Sequence, residues 1–118
     1  MDFIGVDGCK NKWLSVTRLD GALKCDIHND IDGLVRANPQ AKRICIDIPI
    51  GLPSKVVPGR PCEALARKLL GKRSPSVFSV PSRAAVAEED VLEARRKNLA
   101  EVGRSLSAQS FAICRKIV

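Results

Sequence analysis

The stretch FIGVDGCKNKWLSVTRLDGALKCDI, residues 3–27, decides the fold. Phe3-Ile4-Gly5-Val6 is a short apolar run bounded by Asp2 and Asp7-Gly8, the pattern of a buried strand. Trp13 to Leu19 is rich in β-forming residues and predicts a second strand. Asp20-Gly21 follows, a dipeptide that accepts the positive φ angles of a tight hairpin turn. Ala22 to Ile27 then alternates, with Leu23, Cys25 and Ile27 on one face and Lys24 and Asp26 on the other. The chain is therefore expected to open as a three-strand antiparallel meander.

Working outward, Asn29 or Asp30 can cap a short helix through Val35 and Arg36, which Asn38-Pro39 stops. Arg43 to Ile48 reads as the fourth strand, and the strand–helix–strand order predicts a right-handed parallel crossover. Residues 49–61 carry Pro49, Gly51, Pro53, Pro58, Gly59 and Pro61 and are read as loop. Cys62, Leu65, Ala66, Leu69 and Leu70 fall on one stripe of a helix that Gly71 ends. Lys72 to Arg83 reads as a polar loop around Val77-Phe78. A helix from about Ala84 to Ala100 follows, with Arg95, Arg96 and Lys97 on its surface. Ser105 or Ser107 can cap a last helix. The sequence stops inside that apolar helix (Phe111, Ile113, Ile117, Val118), which predicts a truncated domain with a missing C-terminal segment.

Length and composition bound the class. The 118 residues fit one small domain over 1–118, and a hydrophobic fraction of 45% supplies a core and excludes bulk disorder. The net charge of +7 makes a polyanionic partner plausible and says nothing about fold. The five cysteines, Cys9, Cys25, Cys45, Cys62 and Cys114, are odd in number and show no C-x-x-C spacing. Neither a zinc knuckle nor a disulfide framework is indicated, and a reducing cytoplasm is the simple reading. Three of them lie in apolar runs, where a free thiol behaves as a small hydrophobe. There is no signal peptide, and no apolar stretch approaches the roughly 20 residues that span a bilayer. His28, the single histidine, has no evident partner and is read as surface. Without Tyr and with three Phe, stacking platforms for single-stranded bases are not expected.

Chemistry centres on two acids. Asp7 lies at the end of the predicted first strand and Asp47 near the end of the fourth. On parallel neighbours both carboxylates emerge at the carboxyl edge, where open α/β sheets bind ligands. Carboxylates that close need a cation, or one must hold a proton. Mg²⁺ or Mn²⁺ suits such oxygen ligands, since one or two carboxylates plus a substrate phosphate can hold a hard ion. Metal ions there would activate water and stabilise the leaving oxygen of a phosphodiester. The bland alternative gives Asp7 an Asx turn and makes Asp47 a cap for the Pro-rich loop. Lys10, in the link between the first two strands, and Arg60, Arg67, Arg73, Ser76 and Arg83 are the candidate substrate contacts; a solvated basic surface reads equally well. Glu63 and Arg67 form an i,i+4 pair, so Arg67 can instead serve its helix.

These residues fall into ordered motifs. G-V-D-G-C-K-x-x-W (Gly5 to Trp13) and D-x-P-I-G-L-P (Asp47 to Pro53) are similar to the leading motifs of the domain of unknown function 429 family. Arg60-Pro61-Cys62-Glu63 with Ala66-Arg67 and Leu70-Gly71 resembles its R-x-C-D-x-x-A-R-x-L-L-G. Arg73-Ser74-Pro75-Ser76-Val77-Phe78 with Pro81 and Arg83 resembles its R-x-S-S-V-F-x-x-P-x-R. Leu106-Ser107-Ala108-Gln109 and Lys116-Ile117 resemble its later steps. The resemblance implies a ribonuclease H-like α/β fold: a mixed sheet of three antiparallel strands and a parallel fourth that lies beside the first, with helices. It also implies a nuclease whose acids map onto Asp7 and Asp47. Members continue past this length with a further strand and later acids, and Glu63 stands where the family usually has Asp.

Three functions compete. The first is a metal-dependent nuclease that hydrolyses phosphodiester bonds in nucleic acid, inactive if the truncated chain lacks needed acids. The second is an actin-like or sugar-kinase-like phosphotransferase that holds ATP on Asp7-Gly8-Cys9-Lys10. The third is a non-catalytic domain that binds a partner or forms a homo-oligomer through an exposed apolar C-terminal helix.

Overall fold

The computed structural model describes residues 3–118. The chain forms two compact units, the first ending at Ile48 and the second spanning Pro49–Val118.

The first unit is a four-strand sheet with one helix. Strands β1 (Phe3–Cys9), β2 (Lys12–Leu19) and β3 (Ala22–His28) form the expected meander, and β4 (Arg43–Ile46) pairs parallel with β1. The order β3-β2-β1-β4 gives a mixed sheet, three strands antiparallel and one parallel, and the ribonuclease H-like description fits it. Asp20 (φ 49°) and Gly21 (φ 82°) both take positive φ, the requirement of a two-residue turn that matches strand twist. Helix α1 (Ile31–Ala37) starts at Asp30, whose carboxylate accepts the Gly33 N–H at 2.6 Å, and ends at Asn38.

Alternation sorts the sheet into two faces. Ile4 and Val6 of β1 and Trp13 of β2 are buried with Leu34 of α1, and Ile31, Ala41, Ile44, Ile46 and Ile48 pack around them. Ser15 and Thr17 lie on the same face and are buried too. The opposite face carries Phe3, Leu23 and Ile27, all more than half exposed. The apolar side of β3 is thus the uncovered one, while Lys24 and Asp26 share the face of α1. Arg43 sits over the Phe3 ring at 5.7 Å on the uncovered side.

The second unit is helical. Helix α2 (Pro61–Leu70) has Pro61 in its first turn, where a missing N–H costs nothing, and stops at Gly71 (φ 51°). A 3-10 helix over Gly71–Ser76 follows, where the sequence predicted loop. Helix α3 (Val91–Val102) is capped by Asp90, which accepts the Glu93 N–H at 2.8 Å, and ends at left-handed Gly103. Helices α4 (Ala108–Ala112) and α5 (Cys114–Ile117) close the chain, with Ser107 capping α4. The core of this unit is Ala85, Val86, Ala94, Leu106 and Cys114, with Leu52, Phe111 and Ile117 against it.

Several expectations are corrected. The helix predicted from Ala84 begins only at Val91, because residues 82–88 are held in turns. Ser82 Oγ and carbonyl take the Ala85 N–H, the Ser82 carbonyl takes Val86 N–H, and the Asn98 side chain takes Ser82 N–H. The apolar stripe of α2 is not a packing face: Cys62, Leu65 and Leu69 are exposed, and Glu63, Ala66 and Arg67 are the half-buried positions. The C-terminal helix is broken at Ile113 and is not an exposed apolar face, since Cys114 is buried and Phe111 and Ile117 pack on the core. Of the basic trio on α3 only Arg96 is exposed; Arg95 donates to the Leu106 carbonyl and Lys97 pairs with Glu88. Only Cys114 among the five free cysteines is buried, so the others do not act as core hydrophobes.

Candidate functional site

The parallel ladder pairs Gly5 with Cys45 and Val6 with Ile46. Regular strand pairing stops at Ile46, two residues short of the predicted strand end. The Asp47 N–H donates to the Val6 carbonyl at 3.1 Å, the bond that closes the Val6–Ile46 pair at the end of the ladder. Asp7 and Asp47 are the residues that directly follow this last pair, one on each segment. Val6 and Ile46 point into the core, so alternation turns both aspartates to the uncovered face, and both are exposed. In both segments an inward apolar residue, Val6 or Ile46, directly precedes the acid.

Asp7 Oδ1 accepts the Gly8 N–H at 2.7 Å, which fixes one carboxylate oxygen against the backbone. That contact resembles the local bonding of the turn reading, but Asp7 lies within β1 opposite Leu14 and opens no turn; nor does it end the strand as the sequence predicted, since pairing with β2 carries β1 on to Cys9. The other oxygen and the Asp47 carboxylate can serve a ligand. Two adjacent carboxylates suit a hard divalent ion that takes its remaining oxygens from water and a substrate phosphate. No group of three or more His, Cys, Asp or Glu residues able to hold a metal occurs among the described residues.

Lys10 sits at the exposed tip of the β1–β2 hairpin with a positive φ of 52°. The remaining predicted contacts belong to the second unit. Arg60 donates from Nε to Glu63 at 3.1 Å and from Nη2 to the Cys62 sulfur at 3.3 Å, which uses Glu63 as a local counter-ion. Its Nη1 is buried without a hydrogen-bond partner. Arg67 turns inward and donates from Nη2 to the Val77 carbonyl at 3.0 Å and the Ser79 hydroxyl at 3.2 Å. Its guanidinium clamps the segment after the 3-10 helix, a role the sequence pairing with Glu63 did not reveal. Arg73 and Arg83 are exposed, and Ser76 Oγ donates to the Arg73 carbonyl at 2.7 Å. Lys72, Arg73, Pro75 and Ser76 line a shallow cavity of about 360 Å³.

His28, read from sequence as a surface residue without a partner, is half-buried and lies 2.9 Å from the Ser15 hydroxyl through Nε2. Trp13 pairs with His28 and Ser15 with Asp26 across the β2–β3 ladder. The signal was available in principle: the hairpin turn fixes the register, and register brings Ser15 and His28 to diagonal positions on one face.

A family model described as "Protein of unknown function (DUF429)" matches residues 5–118. No curated protein and no solved structure matches the chain. No helix among the described residues is long and apolar enough to cross a membrane.

Proposed function

This chain belongs to the DUF429 family, and we propose that its Asp7–Asp47 pair holds a divalent ion, Mg²⁺ or Mn²⁺, for hydrolysis of phosphodiester bonds in nucleic acid. What supports the reading is the register of β1 and β4: Asp7 and Asp47 directly follow the Val6–Ile46 pair, and both are exposed. A bound ion would polarise the phosphoryl oxygen and lower the pKa of a bound water. The chain's own contribution is positional. The β1–β4 ladder fixes the spacing of the carboxylates, and the Gly8 N–H holds one Asp7 oxygen in place. Lys10, exposed at the β1–β2 hairpin tip of the same unit, offers a phosphate contact, and the net charge of +7 favours a polyanionic substrate; Arg73 and Arg83 are exposed on the second unit. Arg60 and Arg67 are occupied by their own chain and act in positioning. Five free thiols accord with action in a reducing cytoplasm.

One observation disfavours the phosphotransferase alternative. A phosphate loop at Gly8 would need outward backbone N–H groups, yet Gly8 N–H is bonded to Asp7, and β1 stays paired with β2 through Cys9.

The test is cleavage of single- and double-stranded DNA and RNA by the purified chain with Mg²⁺, Mn²⁺ or a chelator. The reading expects metal-dependent cleavage that falls by about 100-fold or more in Asp7→Asn and Asp47→Asn, the scale of losing a group that acts in the transition state. Cleavage that survives chelation, or wild-type activity in either variant, would remove the proposal.

A further inference from the structure

We infer that β3 pairs with β3 of a second copy of this chain, joining two sheets across a two-fold axis at Cys25. Among the described residues, β3 is hydrogen-bonded on its β2 side only, which makes it an edge strand. Edge strands present a row of backbone donors and acceptors that template pairing. Leu19 and Ala22 close the two-residue Asp20-Gly21 turn, so they form a hydrogen-bonded pair. Counting from there, Ala22, Lys24, Asp26 and His28 direct their backbone groups to β2. Leu23, Cys25 and Ile27 direct theirs outward, to the open edge.

That parity permits few self-pairings. A strand crossing its own copy antiparallel matches outward residue to outward residue only if the axis passes through a residue. With the axis at Cys25, all seven residues of β3 pair. Lys24 then faces the partner's Asp26 and Asp26 faces the partner's Lys24, while Leu23 faces the partner's Ile27, and the reverse. With the axis at Lys24 or at Asp26, the overlap shortens and a like charge faces itself, which is destabilising. The sequence of β3 thus selects one register by charge. Lys24 and Asp26 already form a 2.9 Å ion pair on one face, with side chains 59% and 42% exposed. The axis at Cys25 would bring two such pairs into an alternating four-charge ring. On the other face Leu23 (72% exposed) and Ile27 (53%) would lose water contact with their counterparts.

A single strand edge falls well short of the roughly 1,200 Å² of a standard interface, so the dimer is weak, with a Kd in the micromolar to millimolar range.

Sedimentation equilibrium up to about 1 mM protein, the weak end of the affinity scale, reads the association. Wild type is expected to show a monomer–dimer equilibrium. Lys24→Asp and Asp26→Lys should each weaken it by roughly tenfold, since both symmetry-related pairs become like-charged. The double exchange Lys24→Asp with Asp26→Lys should restore it; since the exchange also restores the intrachain pair, the single variants are expected to keep the wild-type melting temperature, which separates lost pairing from lost fold. A chain monomeric throughout, single reversals without effect, or a double exchange that fails to restore association would overturn the pairing. None of these outcomes depends on metal or on cleavage.

Discussion

Replacing Asn98 by alanine should be among the most damaging single changes in the second unit, although Asn98 is polar. The residue is 1% exposed on α3. Its Oδ1 accepts the N–H of Ser82, itself fully buried, at 2.7 Å. Its Nδ2 donates to the Arg104 carbonyl at 2.7 Å, so one amide ties the turns at 82–88 and the exit from α3 to the helix. Alanine leaves the Ser82 N–H buried and unpaired, at a cost of about 1–3 kcal/mol. The lost bond to Arg104 adds about 1 kcal/mol, since that carbonyl can recover a water. The sum is roughly 2–4 kcal/mol. With a urea m-value of about 1–3 kcal/mol/M, the midpoint should fall by roughly 1–2 M. Far-UV circular dichroism is the right probe, because the helices of this unit dominate the signal while Trp13 reports on the other. Leu99→Ala, one residue along the helix and 55% exposed, is the control and should cost less than about 1 kcal/mol. An Asn98→Ala midpoint no lower than that of the control would refute the argument that the amide holds this unit together.

Other expectations follow from the same geometry. Gly21→Ala places a side chain at φ 82° in open space, so the cost is backbone strain alone, about 1 kcal/mol by urea denaturation monitored through Trp13, whereas Gly59→Ala should be near neutral. Glu101 accepts the Ala84 N–H at 2.8 Å, and that bond foremost holds its carboxyl below the usual glutamate range. A depressed carboxyl contributes stability above the unfolded value of about 4.3 and loses it as pH falls through the folded value; Glu101→Gln should flatten that acid-side decline in a pH series of thermal melts. Asp7→Asn keeps an acceptor for the Gly8 N–H while removing one of two adjacent charges. Without metal it should therefore melt no lower than wild type in a thermal denaturation series.

The strands were legible because each rests on a local signal. The apolar run Phe3–Val6, the Asp20-Gly21 turn and the run before Asp47 leave one arrangement of four strands. The aspartate pair follows, since register in a parallel pair with one buried face is fixed by which residues must point inward. Elements set by tertiary partners were not legible. The segment 84–90 is rich in helix formers, yet Ser82 and Asn98 hold its start in turns, and Asp90 supplies a stronger cap six residues on. The stripe Cys62, Leu65, Leu69 has helical periodicity, which correctly gave α2, but periodicity does not say which face meets the protein. Arg67 took that face instead because its guanidinium satisfies the Val77 carbonyl, a partner ten residues away. The Ser15–His28 contact escaped for the same reason: it exists only once β2 and β3 are in register.

The central claim is that the carboxylates of Asp7, within β1, and Asp47, just after β4, share a divalent ion. Amide NMR during titration with Mn²⁺ tests it most directly, because paramagnetic broadening reports the position of the ion without requiring turnover. The account predicts broadening centred on Asp7-Gly8 and Asp47-Ile48 that is lost in both Asp7→Asn and Asp47→Asn. Broadening centred elsewhere, or unchanged in either variant, would contradict it.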